Sequence, residues 1–167
     1  MEKDKSSTVL VTTAAIMATL VCVTTMLIQV PIPATKGFFN IGDAMIMVAA
    51  FIFGPVVGAI AGGLGSSLAD LLGGWYIWVL PTMIIKGVEG LLTGYIFLKF
   101  RDQNIPTILF AWIIGGLEMV LGYFITQVAM YGFTAALVEL PFNFIQMTVG
   151  GIVGIPLSLA LRKRINV

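Results

Sequence analysis

The sequence predicts an all-α integral membrane protein, a single domain over residues 1–167 with six transmembrane helices and both termini in the cytoplasm. Three observations carry this: an apolar composition, apolar runs cut by turn signals, and a one-sided distribution of bases. Hydrophobic residues make up 59% of the 167 and charged residues only 10%, with a mean hydropathy of +1.04, far from the balance of a soluble domain. A helical span needs about 20 residues, so six spans with short connections use up the length and leave no room for a soluble catalytic domain. A net charge of +1 gives no field for nucleic acid. With no His and one Cys, zinc, haem and thiol-redox centres lack their ligands. Cys22, in mid-run, is expected simply to pack.

Helix 1 is expected over 8–30, where an unbroken apolar run follows the mixed charges of Glu2, Lys3, Asp4 and Lys5. That run is too long for the apolar region of a signal peptide, about 7–15 residues. Pro31 and Pro33 end it, and the stretch to Asp43 has the Pro, Gly and Asn content of a loop. The apolar run from Gly42 to Leu72 would reach about 46 Å as one helix, too long for a bilayer of about 30 Å. Gly54-Pro55 breaks it, since proline disfavours helix in the residue before it and lacks a donor. Helix 2 is therefore expected over 42–53 and helix 3 over 55–72, the former so short that it needs a protein-covered place. Residues 73–81 read as an interfacial loop bearing Trp75, Tyr76 and Trp78, types that collect at headgroup depth. Helix 4 is expected over 81–100 with Pro81 in its first turn, helix 5 over 105–130, a second loop after Tyr131, and helix 6 over 139–161.

The bases test the count. Short cytoplasmic loops carry the Lys and Arg excess. Six spans put Lys3, Lys5, Lys99, Arg101, Arg162, Lys163 and Arg164 on one side and only Lys36 on the other, whereas five spans would divide the basic clusters.

Ionisable groups inside spans are costly and mark function or pairing. Asp43, Asp70, Lys86, Asn143, Gln146 and Gln127 fall in the outer half, with Glu89 and Glu118 near mid-membrane, which suggests a polar cavity open to the exterior. Lys86 and Glu89 share a helix face at i,i+3, as do Asn143 and Gln146. The Lys86–Glu89 pair serves structure as readily as ligand binding. Asp43 is expected as a helix cap, Glu139 at the opening of helix 6, and Glu118 with a cross-helix partner such as Lys86. Trp75, Tyr76, Trp78 and Phe39 lie on the cavity side, where aromatic faces suit a flat heterocycle, although the same residues fit an aromatic belt. No carboxylate pair falls at i,i+3 or i,i+4 on one helix, which argues against an intramembrane enzyme.

Gly42-Asp43, Phe53-Gly54-Pro55-Val56-Val57-Gly58, Leu68-Ala69-Asp70-Leu71-Leu72 and Ile85-Lys86-Gly87-Val88-Glu89-Gly90, set in six helices, resemble the substrate-binding S component of energy-coupling factor (ECF) vitamin transporters. The pattern is most similar to the hydroxymethylpyrimidine or pyridoxine group, related to riboflavin S components. The resemblance implies a vitamin bound from outside, with the loop between helices 1 and 2 as lid. It also implies an Ala-x-x-x-Ala docking motif, matched by Ala14 and Ala18, for a transmembrane coupling subunit driven by two ATPases. The chain has no phosphate-binding loop of its own, so ATP is expected only in those partners and no cofactor in this chain. On this reading Phe39, Trp75, Tyr76 and Trp78 cover the ring, while Lys86, Glu89, Glu118, Gln127, Asn143 and Gln146 bond its substituents. The rivals are an S component for another vitamin, such as riboflavin, and a non-transporting membrane scaffold whose buried charges only pair.

Overall fold

The structure, a computed structural model, describes residues 2–100 and 104–165. Arg101 and the side chains of Lys3 and Lys5, all used in the charge argument, lie outside the described side chains. Six helices follow one another: α1 (Glu2–Leu27), α2 (Asp43–Phe53), α3 (Pro55–Gly73), α4 (Val79–Lys99), α5 (Ile105–Tyr131) and α6 (Phe133–Ile165). Between α1 and α2 lies a small antiparallel hairpin, β1 (Val30–Ile32) and β2 (Gly37–Phe39), with Val30 opposite Phe39 and Ile32 opposite Gly37. Five helices are long and apolar enough to cross a membrane, and α2 is not.

The differences from expectation have local causes. The stretch after Val30 is a hairpin rather than plain loop, its turn closed by Lys36 in the left-handed region (φ 51°). Helix 4 begins two residues before Pro81, which places the proline inside its first turn, where no N–H partner is lost. The second expected loop is not there. Only Gly132, at φ 86°, interrupts α5 and α6, and α6 runs on through Pro141 and Pro156. Glu139 therefore sits inside α6 rather than opening it. Asp43 does not cap α2: Gly42 holds the N-cap position, without a side-chain cap bond, and the Asp43 side chain is committed elsewhere.

Helix α2 spans about 16 Å at 1.5 Å per residue and is the buried hub of the bundle. Nine of its eleven residues are buried, and it touches α1, α3, α4 and α6. Its Ile46, Met47, Val48 and Phe51 join Val21, Val57, Phe97 and Ile108 in the main apolar core. The break at Gly54-Pro55 turns the chain directly into α3, with Pro55 in the first turn.

Helices α3 and α4 form the most extensive helix pair, and glycine is why they fit. A methyl group on Gly58 would stand 2.7 Å from the Gly90 carbonyl oxygen, and one on Gly62 would strike the carbonyl of Lys86. In lipid, where apolar burial gives no net drive between helices, such close backbone approach is the main source of association. It also fixes the height of Lys86 against α3.

Ala14 and Ala18 lie in the interior. They are 3% and 6% exposed, and the Ala18 carbonyl packs against Gly65 of α3. The pair thus fills the α1–α3 contact, whereas the outward face of α1 carries Ala15, Ile16, Thr19 and Val23. Enlarging these inward positions is expected to overpack the bundle by about 1–3 kcal/mol each. Gly90→Ala and Ala18→Trp should each lower the melting temperature of the detergent-purified protein by several degrees, whereas Thr19→Trp, on the outward face, should leave it within a degree.

Candidate functional site

A small cavity lies under the hairpin, walled by α1, α3, α4, α5 and α6. Its polar wall comes from Asp70, Thr82, Lys86, Asn143 and Gln146, and its aromatic wall from Phe38, Trp78 and Tyr123.

Lys86 organises the floor. It is 1% exposed, and its Nζ donates to Asp43 Oδ1 at 2.5 Å and to Glu89 Oε2 at 2.9 Å. A buried ammonium is tolerated only with such partners. Two elements far apart in sequence, α2 and α4, are thereby locked together. Gln146 of α6 extends the network by donating from Nε2 to Asp43 Oδ1 at 3.3 Å. Gln146 Oε1 accepts from the Asn40 backbone N–H at 3.1 Å and from Asn40 Nδ2 at 3.2 Å. The Tyr123 ring centroid stands 5.7 Å from Lys86 Nζ, and the Tyr123 hydroxyl donates to Thr82 Oγ1 at 3.1 Å.

The hairpin roof is bolted from three sides. The Thr35 hydroxyl donates to Glu139 of α6. Trp78 Nε1 donates to the Lys36 carbonyl at 3.0 Å, and Trp75 Nε1 donates to Gln29 Oε1 at 3.3 Å. Phe38 packs on Trp75 with ring centroids 4.9 Å apart. Trp78 also meets Tyr123 edge-on, centroids 5.8 Å apart.

Of the residues the sequence singles out, Trp78, Lys86, Asn143 and Gln146 line the cavity. Glu89 sits behind Lys86, and Trp75 supports the roof. Phe38 rather than its neighbour Phe39 lines the cavity, because successive side chains of a strand point to opposite faces. Tyr76 is 71% exposed and turned outward. Glu118, half-buried on α5, has no hydrogen-bond partner for Oε2, not even Lys86. Gln127 is fully buried beside Glu139, outside the lining, with no hydrogen bond of good geometry for its amide.

Sequence reasoning placed Asp70 among the outer-half polar groups but not among the ring-bonding residues, and it missed the partnership of Asp43 with Lys86 and the lining roles of Thr25, Asn40, Ser66, Thr82 and Tyr123. One signal for Asp43 exists: a single base among several acids within the spans must serve more than one of them. Three lining side chains, all at least nine-tenths buried, present a polar atom with no protein partner: Thr25 Oγ1, Asp70 Oδ2 and Asn143 Nδ2. Buried polar atoms without partners are rare and costly, so three of them in one lining make this cavity the candidate binding site.

The Lys86 cluster yields a stability test. Lys86→Met strands two buried carboxylates and should cost about 3–5 kcal/mol, read as a large fall in melting temperature. Adding Asp43→Asn and Glu89→Gln should recover most of it, and a triple variant as unstable as the single one would refute the assigned pairing.

Comparison with known proteins agrees with this architecture. The family of ECF-type riboflavin transporter S components matches residues 5–163. A Pyrococcus woesei protein, known only as an uncharacterized protein in a gap 3′ region, is 46% identical over 87% of this chain and 97% of its own. The thiamine precursor transporter HmpT of Lactococcus lactis subsp. cremoris is 32% identical over 91% of this chain and 87% of its own. A UPF0397 protein of Streptococcus agalactiae is 30% identical over 56% of this chain and 50% of its own. The chain is thus a multi-pass membrane protein with a transport role and not an enzyme, and it belongs to the family of ECF-type riboflavin transporter S components.

Proposed function

We propose that the chain is the substrate-capture subunit of an ECF-type importer and binds a small aromatic vitamin of the hydroxymethylpyrimidine or pyridoxine class. The observation that carries this is the cavity, lined by aromatic rings and by buried polar groups, three of which have an unpartnered atom. Such a mixed lining suits one substituted six-membered ring, stacked or edge-packed by Trp78, Tyr123 and Phe38 and bonded at its rim. An aminopyrimidine presents a donor amine beside an acceptor ring nitrogen, which the side-chain amides of Asn143 and Gln146 and the Asp70 carboxylate complement. The similarity to the Lactococcus thiamine precursor transporter supports the same class.

The direction of binding follows from the basic residues. Seven of nine bases fall on one side if all six helices, α2 included, cross the bilayer. That puts both termini in the cytoplasm and the hairpin roof outside. The chain lacks a phosphate-binding loop, so import draws on a transmembrane coupling subunit and two ATPases. Because Ala14 and Ala18 are used internally, docking on α1 falls to its outward face. The family description favours riboflavin as a second reading. Three fused rings with a ribityl chain would need the roof to lift and a longer apolar slot than these polar walls provide.

The test is ligand binding by the purified chain. Tryptophan fluorescence should respond saturably to hydroxymethylpyrimidine or pyridoxine without ATP, and Trp78→Phe should remove most of the response while Trp112→Phe leaves it. Calorimetry covers riboflavin, whose own absorption overlaps. Saturable binding of riboflavin alone would move the assignment to that vitamin, and three flat titrations of a folded sample would defeat the vitamin reading.

A further inference from the structure

The charges around the cavity do not balance. Two carboxylates, Asp70 and Glu139, and one ammonium, Lys86, line it. Lys86 is already engaged by Asp43 and Glu89, neither of which lines the cavity. Glu139 accepts the Thr35 hydroxyl and is tied to the roof. Asp70 differs from the others. It is 2% exposed, it lies beside Thr82 at the end of α3, and its Oδ2 meets no protein donor. The charge of Lys86 reaches Asp70 but is shared with Asp43 and Glu89, so Asp70 has no counter-ion of its own of the kind buried ions require: among the described side chains the other bases are Lys36, exposed on the hairpin, and those at the helix ends assigned to the cytoplasm.

Resting on the vitamin reading above, we propose that the cavity is built for a cationic ring, an aromatic heterocycle that carries a protonated amine, with Asp70 as its counter-ion. The aromatic side of the cavity fits the same charge. Trp78 and Tyr123 both line the cavity with Asp70, and aromatic rings attract a cation held over a face within about 6 Å. Lys86 does not repel such a ligand as a free ammonium would, because two carboxylates within 2.9 Å offset its charge. The ligand amine thus does for Asp70 what Lys86 does for Asp43.

Two matched probe pairs test the inference, each differing only by an aminomethyl group, protonated at neutral pH, in place of a hydroxymethyl group. They are pyridoxamine with pyridoxine, and aminomethylpyrimidine with hydroxymethylpyrimidine on the same 4-amino-2-methyl ring. Calorimetry on the purified full chain is expected to show the aminomethyl member binding at least tenfold tighter in whichever ring binds. In Asp70→Asn, which keeps the shape and removes the charge, affinity for that member should fall about ten- to hundredfold, the range of one charge-assisted hydrogen bond, while the hydroxymethyl member changes less than threefold. Equal or tighter binding of the hydroxymethyl member by the unaltered chain overturns the cation inference and leaves the vitamin reading standing. This arm needs no variant, so it holds even if Asp70→Asn fails to fold. A preference that survives in folded Asp70→Asn overturns the role of Asp70. If none of the four probes binds a folded sample, the vitamin class and the inference fall together.

Discussion

The fold turns on one ammonium group in a place that water does not reach. An unpaired lysine inside a span is costly, so closing the bundle around Lys86 calls for acids beside it. Glu89 comes at little cost, one turn along the same helix. Asp43 comes from the first turn of α2, which is held at that height by the apolar packing of its other residues. Gln146 then orients Asp43, and Asn40 orients Gln146. Four segments are thus set by one charge, and the cavity is the space they leave between themselves and the hairpin.

Much of this was legible in the residues. Helix number, the break at Gly54-Pro55, the burial of the short second helix and the shared face of Asn143 and Gln146 all follow from period, length and proline chemistry. What could not be read has physical reasons. A three-residue strand pair carries too little alternation to distinguish it from loop, and without that phase Phe39 stands in for Phe38. The end of α5 and start of α6 read as a loop because Gly132 and Pro141 both signal a break. Pro141 lies inside α6, where it forfeits one backbone hydrogen bond without ending the helix. Cross-helix pairing, as between Asp43 and Lys86, leaves no mark in local spacing.

The small-residue pairs teach a related lesson. An Ala-x-x-x-Ala spacing on α1 fits a contact with another subunit and a contact within the chain equally well, and only the rotation of the helix decides. Here that rotation is set by Met17 and Val21, which join the apolar core and carry Ala14 and Ala18 inward with them.

The burial of α2 has a consequence for how the protein is made. An 11-residue helix whose first residue is an aspartate cannot partition into a bilayer alone, since a spanning segment needs about 20 apolar residues. Once in place, nine of its eleven residues are buried in the bundle. It must enter the membrane together with α3, as one hairpin bent at Gly54, and wait there with its acid unneutralised until α4 emerges from the ribosome with Lys86. The order of synthesis therefore leaves Asp43 without its permanent partner for the time needed to translate about 40 residues at the usual rate of about 5–20 per second.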